Sequence, residues 1–376
     1  MGVNVSIYGL STEGYSLASA LVLNGANVSI IDELQRTAFN LRSEVARTYP
    51  DVNSLIEDEL LLGIEPEEVA IQNSDYIFFT PKIRKIGQEA MDDIKSKFRD
   101  VVSNIKKGSS IIFNIPLGFG MNRENIDMLE HITGFDENEI NYHYMPIGSL
   151  DYNISIIGSI NKDKKLLKLL SNMLDSNIQL LDLESAEIVN ISKILSYYTS
   201  LISTFETYKH ANKPIDREEL RELYIDDIAS GLFDLRMILL SLTTSNPLSY
   251  VINGSIKSVD GYVKYLIDRL KKSIKALELK ASRVKIRLVW NLDRYEIRGD
   301  KLHMLELLEK RLRDHITDVE SITNASKSYI NIVDDKSIIL IICSRNAYDN
   351  INISKSMDNI ILLKSNPFCE LVKNEG

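Results

Sequence analysis

Val3-Asn4-Val5-Ser6-Ile7-Tyr8-Gly9-Leu10-Ser11-Thr12-Glu13-Gly14 opens the chain, and the architecture follows from it. Val3 to Tyr8 is a short apolar run of the kind a buried parallel strand uses. Gly9 ends it. Tyr15 to Leu23 carries apolar residues at helical spacing, and Gly25 closes that helix, as a glycine just past a helix C-terminus does. Asn27 to Ile31 is a second apolar strand, and Asp32 stands at its end. Strand, tight turn, helix and strand in the first 32 residues predict a parallel βαβ unit.

The alternation continues outward from this unit. Strands are expected at Tyr76 to Phe79, Ser110 to Ile115, Ile154 to Ile157 and Gln179 to Leu181, with helices near 86–104, 122–131 and 162–174. That order predicts a doubly wound parallel sheet. Near Leu183 the pattern changes. Glu184 to His210 holds helical periodicity with no internal glycine or proline, Pro214 and Asp216 open a new turn and helix, and 226–242 and 261–279 also read as helical. Strand-like runs return at Val284 to Val289, Ser337 to Cys343 and Asn359 to Leu363, with a helix at Lys301 to Arg313. The expected domains are therefore 1–183, a helical middle at 184–282, and a smaller α/β domain at 283–376.

A chain of 376 residues exceeds what one core usually serves. Its formal net charge of -9 lacks the basic surplus of a nucleic-acid binder. No apolar run approaches the roughly 20 residues needed to cross a bilayer. No basic leader precedes the first strand, so the expectation is a cytoplasmic protein without membrane contact. The cysteines are Cys343 and Cys369, with no CxxC or Cys/His cluster, and no metal is expected. Asp226-Asp227 and Asp334-Asp335 lack the alternation and glycine of a calcium loop and read as solvated charges. Of His131, His143, His210, His303 and His315, only His143 falls near an expected strand end.

The turn Gly9-Leu10-Ser11-Thr12-Glu13-Gly14 matches a dinucleotide fingerprint in its first and third glycines, with Ser11 at the second place. Asp32 stands where an acid accepts from a ribose hydroxyl, which favours NAD over NADP. Glu13 opposes this reading, since a carboxylate in the first helical turn competes with a pyrophosphate for the positive end of the helix. Two alternatives stand: a working NAD site, or a turn kept for folding alone.

Val5-Ser6-Ile7-Tyr8-Gly9-Leu10, with Gly14-Tyr15-Ser16-Leu17-Ala18, resembles the GLGYVGLPLA opening of the UDP-glucose and GDP-mannose (nucleotide-sugar) dehydrogenases. Phe78-Phe79-Thr80-Pro81 resembles their V-P-T-P segment, and Ser185-Ala186-Glu187 their S-A-E. The resemblance implies two Rossmann-like doubly wound sheets joined by a long central helix and helical middle domain. It further implies a homodimer through the helix 184–210, NAD on Gly9, Ser11, Gly14, Asp32, Thr80 and Pro81, and a nucleotide sugar as partner.

That family oxidises a sugar alcohol twice through a cysteine thiohemiacetal. Its GGHCIPVDPYYL segment is best matched by Asn253-Gly254-Ser255-Ile256-Lys257-Ser258-Val259-Asp260-Gly261-Tyr262, which places Ile256 at the cysteine. Isoleucine cannot form a covalent adduct. The family's oxyanion lysine falls on Asn190. Its S-T-V-P-P-G-T threonine meets Asn114-Ile115-Pro116-Leu117-Gly118, and its P-E-F-L glutamate falls near Met145-Pro146-Ile147-Gly148. The F-K-x-x-T-x-D-x-R lysine is Asn291, while Arg298 is retained. Lys193, His143 and Asp260 remain for acid–base work, and Gly254, Asp260 and Arg298 for substrate. The expectation is a diverged homologue without the two-step oxidation. The alternatives are an active NAD-dependent oxidoreductase on a nucleotide sugar and a non-enzymatic scaffold or interaction protein.

Overall fold

A computed structural model describes residues 2–57, 64–136, 139, 141–147, 156–171, 178–210, 223–323, 337–351 and 360–372. The turn expected at Pro214 and Asp216, the pair Asp334-Asp335, and Gly148 lie outside the described residues. The chain divides into two compact units. One comprises Met1–Leu195, Phe233–Ser249 and Arg294–Gly299; the other comprises Ser196–Leu232, Tyr250–Asp293 and Asp300–Gly376.

The first unit begins with β1 (Asn4–Tyr8), α1 (Thr12–Leu23) and β2 (Asn27–Asp32), as the opening residues predict. There follow β3 (Thr37–Leu41), α2 (Ser43–Thr48), α3 (Val52–Glu57), β4 (Ile64–Pro66), α4 (Glu67–Asn73) and β5 (Tyr76–Phe79). Then come α5 (Gln88–Val102), β6 (Ser110–Phe113), α6 (Met121–Thr133), β7 (Asn141–Tyr144), β8 (Ile156–Ser159), α7 (Lys164–Ser171) and β9 (Gln179–Leu181). The strands form one sheet in the order β4-β3-β2-β1-β5-β6-β7-β8-β9. Its centre is parallel, with Val5 paired to Val28 on one side and Tyr76 on the other. β3 and β4 extend the edge antiparallel, and β7 pairs antiparallel with β8. These antiparallel additions were not expected from sequence, because five-residue Thr37–Leu41 and four-residue Asn141–Tyr144 are too short to show a period.

All four residues of β5 and of β6 are buried, as both faces of a parallel sheet covered by helices require. Tyr8, Phe79 and Phe113 stack across β1, β5 and β6 at centroid separations of 5.5 and 5.0 Å, and Phe98 of α5 meets the last two edge-on. This aromatic row anchors the core beneath the C-terminal strand ends, where open α/β sheets carry their sites.

α8 (Leu183–Tyr208) is the long helix predicted from periodicity. The run expected at 226–242 is two helices, α9 (Ile225–Ala229) and α10 (Leu232–Leu240), broken at Gly231 with φ +82°. α11 (Pro247–Ala276) begins well before the expected 261 and carries Gly254 and Gly261 inside it. Helical periodicity overrode two residues that ordinarily interrupt helices.

The second unit's sheet is built from β10 (Val284–Val289), β11 (Val319–Ile322), β12 (Ser337–Ile342), β13 (Ile360–Lys364) and β14 (Leu371–Val372), in the order β11-β10-β12-β13-β14. All its pairings are parallel except the last. α12 (Asp300–Arg313) and α13 (Arg345–Asn350) connect its strands. Both units are therefore α/β with Rossmann-like sheets, as expected. Among the described residues no helix is long and apolar enough to cross a membrane.

Candidate functional site

The first unit brings Gly9, Ser11, Gly14, Asp32, Thr80 and Pro81 together at the C-terminal ends of β1, β2 and β5. Gly9 has φ +119°, and a Cβ on it would lie 2.3 Å from the Thr80 carbonyl oxygen. A Cβ on Gly14 would lie 2.6 Å from Thr80 Oγ1 and 2.7 Å from the Gly9 carbonyl oxygen. Both glycines are thus demanded by close packing of the turn on the Thr80–Pro81 segment. Ser11 is fully buried and caps α1: its hydroxyl donates to the Thr80 carbonyl (2.8 Å) and accepts from Gly14 N–H (3.0 Å).

Two amides of this turn, those of Leu10 and Thr12, are engaged within the unit. Leu10 N–H donates to the Glu33 carboxylate (3.2 Å), whose other oxygen accepts from Lys82 N–H (3.0 Å). Thr12 N–H donates to the Tyr295 carbonyl (2.9 Å). The Glu13 carboxylate accepts from Ile297 N–H (2.9 Å). Residues 294–299 therefore form a strap across the head of α1.

The strap is fastened at several points. Ile297 is fully buried in the core, and its carbonyl accepts from Ile83 N–H (2.8 Å). The Arg84 guanidinium donates to the carbonyls of Arg294 (2.7 Å), Glu296 (2.9 Å) and Ile297 (3.2 Å). Arg298 is buried, pairs with buried Asp234 at 2.8 Å, donates to the Ile147 carbonyl, and comes within 4.0 Å of Glu13. Arg298 therefore braces the strap.

Beside the turn lies a cavity of about 420 Å³ lined by Leu10, Asp32, Gln35, Thr37, Ala38, Phe39, Leu55, Ile56 and Ile64. Its walls are mostly apolar, with Asp32 among the polar residues that line it. Asp32 Oδ1 accepts from Leu34 N–H (2.9 Å). A ribose and base fit this chemistry. The neighbouring turn is poorly suited to a pyrophosphate, because the amides of Leu10 and Thr12 are engaged and the carboxylates of Glu33 and Glu13 are bound there, on the Leu10 and Lys82 amides and on the Ile297 amide. The cavity and the turn therefore offer different surroundings: mostly apolar walls with an acid in one, engaged amides and bound carboxylates in the other. Glu33 and Arg84 carried no sequence signal, and of the strap only Arg298 did, as a resemblance with no hint of its internal contacts. Glu33 stood behind Asp32 in the fingerprint reading, and the strap lies some 280 residues from the turn it closes.

The other expected site residues lie elsewhere. His143, in β7, is buried; its Nδ1 is 2.8 Å from Ser159 Oγ, and Nε2 has no partner among the described residues. Burial pushes its imidazole down to about 4, against a smaller opposing pull from Asp163, so the ring is neutral at pH 7. Asn190 is buried and donates to the Tyr144 hydroxyl (3.2 Å), while Lys193 is half-buried on α8. Glu187 caps α6, accepting from Gly120 N–H (2.8 Å) and from Asn122 N–H (2.9 Å). Asn114 donates to the Met145 carbonyl (2.8 Å).

Gly254, Ile256 and Asp260 lie in the second unit, all on α11; Gly254 and Asp260 are exposed and Ile256 is half-buried. In the same unit Asn291 donates to Asn346 Oδ1 (2.8 Å). Burial raises the thiol of Cys343 above the ordinary range and that of Cys369 to about 12. Among the described residues no three His, Cys, Asp or Glu side chains gather as metal ligands would.

No family model and no curated protein sequence matches the chain. Solved structures do match it in fold. UDP-D-ManNAc dehydrogenase from Pyrococcus horikoshii superimposes with a TM-score of 0.66 at 13% identity, covering 98% of this chain and 96% of that one. UDP-N-acetyl-mannosamine dehydrogenase from Staphylococcus aureus gives 0.62 at 15% identity, covering 96% and 98%. A UDP-glucose dehydrogenase from Pyrobaculum islandicum gives 0.61 at 12% identity, covering 97% and 94%. Over almost its whole length, the chain has the fold of the nucleotide-sugar dehydrogenases.

Proposed function

We propose that this protein is a diverged nucleotide-sugar dehydrogenase homologue that does not perform the cysteine-dependent two-step oxidation. The observation that carries the reading is the strap: Tyr295 and Ile297 hold the Thr12 amide and the Glu13 carboxylate at the head of α1, where a dinucleotide's phosphates would have to bind. The match of Ile256 to the family's cysteine, and the use of Asn190 and Arg298 in internal contacts, support it. A nucleotide sugar on the second unit and a homodimer through 184–210 belong to the same reading. Sedimentation of the purified protein checks the dimer.

A second reading, an NAD-dependent oxidoreductase making a single hydride transfer, is favoured by the cavity beside Asp32. The two are separated by incubating the protein with NAD and a panel of UDP- and GDP-sugars while following NADH absorbance. The expected result is no NADH with any sugar. Sustained NADH production that depends on the sugar would overturn the proposal and establish the second reading.

A further inference from the structure

The closed turn and the cavity beside it differ in what they admit. The cavity is large enough for a small ligand, since such sites begin at about 300 Å³. Leu10, Phe39, Leu55, Ile56 and Ile64 give it apolar walls against which a planar ring can lie. The Asp32 carboxylate accepts hydrogen bonds and offers none, so it selects hydroxyl or N–H donors. Leu10 is shared between the cavity wall and the turn, and its amide is held by Glu33. A ligand that extends past Leu10 therefore meets a carboxylate, and beyond it the Glu13 carboxylate bound to the strap.

We infer that this cavity takes a ribonucleoside without a 5′-phosphate: a planar base against the apolar wall and the ribose hydroxyls on Asp32. The inference rests on the reading that the chain does not use NAD. Glu33 acts as the selectivity element. It accepts from the Leu10 and Lys82 amides, so it is held in place, and it presents negative charge where a phosphate would enter. A neutral nucleoside escapes that repulsion and a nucleotide does not.

Calorimetric titration of the full chain with adenosine, uridine, adenosine 5′-monophosphate, ADP-ribose and NAD tests this. Adenosine or uridine is expected to bind, and the first 5′-phosphate to weaken binding by about tenfold or more. Replacing adenosine by 2′,3′-dideoxyadenosine, or Asp32→Asn, is expected to cost roughly tenfold or more, because a charge-assisted hydrogen bond is lost. Glu33→Gln keeps an acceptor for the Leu10 amide while removing the charge, and should narrow the gap between nucleoside and nucleotide. Melting curves on both variants establish that they fold. Tighter binding of NAD or the monophosphate than of adenosine would overturn the inference, as would no heat from either nucleoside up to millimolar concentration. NADH formation from a nucleotide sugar would instead sink the proposed function. Phosphate-strengthened binding without hydride transfer would sink only the present inference.

Discussion

His143 shows how burial changes the charge state of a residue that sequence position recommends. Its imidazole is pushed down to about 4 by desolvation, 2.8 Å from Ser159 Oγ, and is neutral at pH 7. The same depression links it to stability. In the unfolded chain the ring titrates near 6.5, while in the folded chain it does so near 4. As pH falls through this window the unfolded state binds the proton first, so stability present above pH 6.5 is lost toward pH 4. The loss is at most about 3 kcal/mol. Denaturant titrations at several pH values should give a steeper decline between 6.5 and 4 for the wild type than for His143→Asn. Equal slopes would mean the ring is reached by water and ordinary.

At the level of elements, α11 and the strap carry the argument. Gly254 and Gly261 sit inside α11, and a Cβ on either would meet nothing within 4 Å. Each glycine weakens the helix by about 0.5–1 kcal/mol relative to alanine. Gly254→Ala and Gly261→Ala are expected to raise stability by that amount in thermal or chemical melts. A loss of nucleotide-sugar binding on Gly254→Ala would show instead that the position meets substrate. Arg84→Ala removes the clamp on three strap carbonyls. It is expected to cost about 2 kcal/mol and to speed hydrogen exchange at the Thr12 and Ile297 amides.

The elements also show what could be read in advance. β1, α1, β2, Gly9, Gly14 and Asp32 were legible because their signals are local: apolar runs, a turn and an acid within 32 residues. β3 and β4 were not, since short edge strands show no period. The roles of Glu13 and Arg298 were hidden for a different reason. Glu13 and Arg298 are both bound to the chain's own backbone across more than 150 residues of sequence, contacts that no local pattern shows. Motif matching cannot see such internal partners.

For the whole molecule, the division into two units with separate buried clusters predicts how it melts. Phe98 is fully buried in the aromatic row of the first unit. Phe98→Ala is expected to destabilise that unit by about 3–5 kcal/mol and to lower its calorimetric transition while that of the second unit stays in place. A single transition that shifts as one would show that the chain unfolds as one cooperative body.

The strap also has a consequence for the order of events during synthesis. The last strand of the first sheet ends at Leu181, and the strap begins at Arg294. At 5–20 residues per second the ribosome needs on the order of ten seconds to cover that stretch. In this interval the head of α1 has been made but its closing segment has not, and the Thr12 amide and Glu13 carboxylate await their partners. The nascent chain thus passes through a stage in which this turn is open, and the finished protein closes it with its own later residues.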